Sequence, residues 1–201
     1  MIRQTYGIVA LVLGLGQIQC LAATTIEISD MKGKLVTDAV VYLEAPDGHV
    51  NLKPGKAEIA QKNKQFLPLV SAVSVGTSIS FPNNDTVRHH AYSFSTAKPF
   101  EIKLYSGVPA TPIVFDKTGT VIVGCNIHDQ MVAYIHVVNT AYFAKTNADG
   151  VAQLGEVAAG KYKLKVWHYQ QSGGANAAVY EQDWHSDSKA VTKIRLPYNV
   201  E

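Results

Sequence analysis

Apolar and polar positions alternate with period two along much of this 201-residue chain. Val73, Val75, Thr77, Ile79 and Phe81 interleave with Ser74, Gly76, Ser78 and Ser80, the pattern of a strand with one buried face. Val121, Ile122 and Val123 are β-branched throughout and run directly into Gly124 and Cys125. Val132, Tyr134, His136 and Val138 alternate with Ala133, Ile135 and Val137, and Tyr162, Leu164 and Val166 alternate with Lys161, Lys163 and Lys165. Turn signals punctuate these runs at Pro82-Asn83-Asn84-Asp85, Lys117-Thr118-Gly119 and Asn147-Ala148-Asp149-Gly150. No segment holds a helical period for three turns. The pattern predicts an all-β protein of sandwich or barrel type.

The first 23 residues break the alternation. Arg3 supplies a short positive region, Ile8 to Gly16 is continuously apolar, and Cys20-Leu21-Ala22-Ala23 offers small residues for cleavage. This is the pattern of a secretory signal peptide cut near 22–23, too short to persist as a membrane-spanning helix. An exported, periplasmic, soluble and monomeric protein without a transmembrane segment is therefore expected. Charge adds one exclusion: 18 Lys+Arg against 16 Asp+Glu give +2, far from the basic footprint of a nucleic-acid binder. Cleavage would also remove Cys20 and leave Cys125 as the single thiol in an oxidising compartment, where it has no internal disulfide partner. Such a thiol is either inert and buried, an intermolecular bridge, or a metal ligand.

Its neighbours bear on that choice. Gly124-Cys125-Asn126-Ile127-His128-Asp129-Gln130-Met131 sets Cys, His and Met three residues apart in one loop between two predicted strands. Thiolate, imidazole and thioether together suit a soft copper ion, and a trigonal His₂Cys set with a weak axial Met is an electron-transfer copper site. The second imidazole can come from His89 or His90 at the start of an earlier strand. Alternation favours His90, which shares a face with Tyr92 and Phe94. His49, His136, His168 and His185 read as structural or solvated. No His-x-His pair occurs, so the multinuclear clusters of multicopper oxidases lack their usual ligands.

Residues Phe66 to Val138 resemble a cupredoxin, the small blue-copper β-sandwich family, with the short ligand loop of amicyanin-type members. The spacing in that family implies His89, four residues after Asp85. The stretch 25–170, with HHAYSFS and GCNIHDQM, also resembles exported proteins labelled methylamine utilization proteins. Two positions depart from the family pattern: His90 stands where a small polar residue usually follows the first ligand, and Ile127 where Pro often precedes the second. Ile26 to Leu43 and Tyr142 to His168 resemble strands of the carboxypeptidase-regulatory or transthyretin-like β-sandwich. The resemblance implies a Greek-key copper domain over 56–138, flanked by strands of a second small β-sandwich over 24–52 and 139–201. It implies one copper ion per chain, held by His89 (or His90), Cys125, His128 and Met131, in a protein that is not an enzyme. Two functions follow from it. One is a one-electron carrier for a redox partner such as a cytochrome; the other is a homeostasis protein that exchanges copper with a donor or acceptor.

Overall fold

The computed structural model describes residues 23–48, 52–186 and 191–200, so residues 1–22 of the expected signal peptide and His49 lie outside the described residues. The described chain is all-β. In chain order the first strands are β1 (Thr25–Ser29), β2 (Val40–Glu44), β3 (Lys56–Glu58), β4 (Ala60–Lys62), β5 (Gln65–Leu67) and β6 (Val70–Ser74). Next come β7 (Thr77–Ser80), β8 (His89–Ser93), β9 (Phe100–Tyr105), β10 (Ile113–Phe115), β11 (Gly119–Gly124) and β12 (Val132–Val138). The last are β13 (Phe143–Lys145), β14 (Val151–Gln153), β15 (Lys161–Trp167), β16 (Tyr180–His185) and β17 (Thr192–Arg195).

Strands β3 to β12 pair only among themselves. They build a five-stranded sheet ordered β6-β12-β11-β8-β9, a three-stranded sheet ordered β10-β7-β3, and the hairpin β4-β5. Inward side chains of the two larger sheets meet in one core: Ile79, Phe81 and Phe115 lie against Ala91, Val121, Val123, Ala133 and Ile135. Burying a side chain such as Phe115 completely is worth roughly 2–3 kcal/mol, so this core gives the sheet ends a firm base.

One predicted strand becomes two. The alternating run Val73–Phe81 is interrupted at Gly76, whose φ of 87° is a conformation that side-chain-bearing residues rarely adopt. The Val75 N–H donates to the Val138 carbonyl (3.0 Å) and the Gly76 N–H to the Phe115 carbonyl (2.8 Å). The chain thereby passes from the five-stranded sheet to the three-stranded one, and a single sequence pattern serves both layers.

The remaining strands come from both flanks. β1 pairs with β14 and β17, and β2 with β13 and β15, giving sheets ordered β14-β1-β17 and β13-β2-β15-β16. Their core holds Ile26, Ile28, Leu43, Leu164 and Trp184. A third cluster joins the two sets of sheets through Val40, Val70, Val138 and Trp167. Within this joint the buried His136 ring stacks on Trp167 with centroids 4.8 Å apart and faces Tyr42 at 5.4 Å. Burial drives the His136 imidazole down to about 4.

Candidate metal centre

The centre forms at one end of the five-stranded sheet. β11 ends at Gly124 and Cys125 follows it; Met131 immediately precedes β12, and β11 and β12 are zipped along their whole length from Gly119↔Val137 to Gly124↔Val132. The loop between them is closed by the Met131 N–H, which donates to the His128 carbonyl (2.9 Å). The neighbouring strand β8 contributes His89, whose cross-strand partner is Tyr105 on β9. Two strand ends and one tight loop thus converge.

The donors of His89, Cys125 and His128 lie within 4.8 Å of one another. The Nδ1 atoms of His89 and His128 each stand 4.0 Å from Cys125 Sγ, and the two rings meet edge-on with centroids 5.0 Å apart. His89 is fully buried, Cys125 is 3% exposed, and His128 is half-buried, the member of the trio nearest solvent. Met131 is buried in the same core as Cys125 and lines the same surface depression.

His89 is held from its far side. Its Nε2 lies 2.7 Å from Asp85 Oδ2. An ionised carboxylate only accepts, so the shared proton sits on Nε2; in the neutral ring this leaves the lone pair on Nδ1, the nitrogen that faces the sulfur. Asp85 is itself gripped by the hairpin β4-β5: the backbone N–H groups of Asn63 (2.7 Å) and Lys64 (2.9 Å) donate to its two oxygens. The Lys64 N–H, with the His89 ring and the Asn63 N–H, holds this carboxyl below its ordinary range. Close by, Gln61 Nε2 donates to the Tyr105 hydroxyl, which donates to the Phe81 carbonyl (2.6 Å), and burial raises that phenol to about 12.

His90 stands outside the trio. Its Nε2 contacts Glu101 Oε1 at 3.1 Å and its ring is tilted against that of Tyr92, centroids 5.3 Å apart. The face that alternation marks as buried is the outer one: His90 is itself covered (7% exposed) but Phe94 is 88% exposed, whereas His89, Ala91 and Ser93 point inward. The physical reason is space. The inward face shares its core with Val121 and Val123 of the neighbouring strand and with Phe115 of the facing sheet, and after His89 it carries only the small Ala91 and Ser93, while Tyr92 lies over Gly124, whose added Cβ would stand 3.2 Å from the Tyr92 ring. Large aromatic side chains therefore mark the outside of this strand. Neither C-terminal histidine lies in the trio: His168 Nε2 donates to the Thr37 carbonyl (3.1 Å) while Nδ1 accepts from the Gln170 N–H, and His185 is exposed on β16. The grip of Asp85 on His89 and the seat of Tyr92 on Gly124 have no explicit mark in sequence beyond the four-residue interval from Asp85 to His89.

The donor set fits a copper ion. The two Nδ1–Sγ separations of 4.0 Å are about twice a metal–donor bond of roughly 2.0–2.3 Å, as in zinc sites, so a single ion between the three donors would reach all of them. A thiolate, two neutral imidazoles and a nearby thioether are the ligands a soft ion prefers, and together they can hold one copper ion.

No protein-family model matches the chain, and no curated protein sequence does. Solved structures similar to it include the Cu-containing nitrite reductase of Thermus scotoductus SA-01, at 26% identity over 43% of this chain and a TM-score of 0.39. The chain spans only 23% of that enzyme's length. A purple cupredoxin from Nitrosopumilus maritimus is 22% identical, with 41% of this chain and 99% of that one covered (TM-score 0.36). Native pseudoazurin from Hyphomicrobium denitrificans is 21% identical, with 41% and 75% covered (TM-score 0.36).

Proposed function

We propose that this chain is an exported, periplasmic copper protein whose mononuclear centre, held by His89, Cys125, His128 and Met131, carries single electrons. The observation that carries the reading is the pair of Nδ1 atoms 4.0 Å from one buried sulfur. Copper supplies a Cu(II)/Cu(I) couple there, and the chain supplies the rest. Cys125 gives a soft thiolate at a strand end, shielded from oxidants by burial. His89 is fixed by Asp85, and the turn closed at Met131 fixes His128. With His89 on a strand, Cys125 and Met131 next to strand ends and His128 in the closed turn between them, little need move between the two oxidation states.

His128 is the outlet in this reading. Ile127 beside it is 49% exposed, and Val108 is 71% exposed in the loop that follows Tyr105, the cross-strand partner of His89. Weak redox encounters use small apolar patches of this kind, so the partner is a small redox protein such as a cytochrome. The unit 56–138 is then the copper domain, 24–52 and 139–201 make the second β-sandwich around it, and the chain is a non-enzymatic monomer. Voltammetry of the copper-loaded protein tests the role. Reversible one-electron cycling and rapid exchange with a reduced cytochrome are expected. Irreversible cycling with ready loss of Cu(I) to a chelator would replace the reading with copper buffering or delivery.

A further inference from the structure

We infer that Asp85 is a positioning residue for the centre: its carboxylate, clamped by the β4-β5 turn, keeps the His89 proton on Nε2 and the Nδ1 lone pair on Cys125. The inference deepens the copper reading and rests on it for its consequence, but the positioning itself is a property of the metal-free chain.

Three observations converge. The Asp85–His89 contact is short, 2.7 Å, and joins a fully buried ring to a carboxylate that is itself largely covered. The carboxylate is not free to swing, because the Asn63 and Lys64 N–H groups hold its two oxygens. Those N–H groups point at it because Asn63 and Lys64 both adopt left-handed backbone conformations (φ 54° and 57°), which curl the turn between β4 and β5 around the acid. The Asp85 backbone is fixed as well, its N–H donating to Asn83 Oδ1 (2.9 Å), while Asn83 Nδ2 donates to the Val87 and Tyr105 carbonyls. A hairpin that adds no strand to either large sheet is thus tied to the ring of a candidate ligand. An exposed turn acid would need none of this support.

The consequence follows from charge. A carboxylate on the distal nitrogen fixes the tautomer and makes the imidazole a stronger donor, and a stronger donor favours Cu(II) over Cu(I). Losing the negative charge should therefore raise the reduction potential, and losing the acceptor should free the ring.

The test compares Asp85→Ala, Asp85→Asn and Asp85→Glu with the wild-type chain. Nitrogen NMR of the metal-free proteins reads the His89 tautomer. Wild type and Asp85→Glu should show Nε2 protonated and Nδ1 bare, and Asp85→Ala should show a mixture. Copper loading then gives two further readouts: Cu(II) affinity about 10- to 100-fold lower in Asp85→Ala, and a higher potential in the near-isosteric Asp85→Asn. Should Asp85→Ala not fold, Asp85→Asn still decides through the potential. An unchanged tautomer in Asp85→Ala, or an unchanged potential in a folded Asp85→Asn, would overturn the proposal. A single tautomer that Asp85→Ala loses supports it even if the wild-type chain takes up no copper, a result that would overturn the copper reading alone.

Discussion

Ligand roles separate at single residues. A hydroxyl cannot replace a soft thiolate, so we predict that Cys125→Ser removes all visible colour from the copper-loaded protein. Met131→Leu should retain the ion but shift its potential, because an axial thioether is long and weak; loss of copper as complete as in Cys125→Ser would refute the axial role. His89→Ala should weaken copper and change the spectrum more than His90→Ala, because His89 Nδ1 faces Cys125 Sγ whereas His90 contacts Glu101. The reverse ranking would place the ligand on the outer face. The histidine pair also shows where sequence reading reaches its limit. The interval from Asp85 to His89 was visible in the chain and coincides with the contact that holds the ring. Alternation misled because side-chain size reports a buried face only where the opposing core has room. Here the core admits Ala91 and Ser93, and the large aromatics cover Gly124 from outside.

Strands and turns follow their local chemistry closely. β15 buries Tyr162, Leu164 and Val166 and exposes Lys161 and Lys163, as period two requires. The loop carrying Cys125, His128 and Met131 lies between β11 and β12, where the β-branched run and the next alternating run place it. The break at Gly76 was not legible, because alternation continues unchanged through a residue whose hydrogen bonds lead to a different sheet. Nor was the clamp of β4-β5 on Asp85, which depends on a long-range approach of two turns. In the flanking sheets the Asn147–Gly150 turn ends at Gly150, with φ 68° and the Ile28 carbonyl only 2.8 Å from where a Cβ would sit. We predict that Gly150→Ala destabilises the fold by about 2 kcal/mol, read as a lower urea midpoint, while the copper spectrum at 25 °C stays unchanged. A shifted spectrum would mean that the flanking sheets shape the centre.

Over the whole molecule, the two sets of sheets meet at His136 and Trp167, and acid should act there. The buried His136 ring has its affinity for protons lowered to about 4, against about 6.5 when unfolded. Between those values the unfolded chain binds the extra proton, so stability rises with pH through this window. It is fully present above about 6.5 and lost as pH falls towards 4, by at most roughly 3 kcal/mol. His136→Gln should flatten that part of the pH–stability curve measured by denaturant unfolding; an unaltered curve would show that the ring accepts its proton without cost. Electron exchange should depend little on salt, since the chain without its expected signal peptide is nearly neutral and provides little long-range steering.

The central claim is that one thiolate and two imidazoles form a single copper site, and the visible spectrum addresses it most directly. Titrating the metal-free protein with Cu(II) should develop an intense thiolate charge-transfer band that saturates at one ion per chain and is missing from Cys125→Ser. A titration that gives no such band, or gives the same spectrum in wild type and Cys125→Ser, would contradict it.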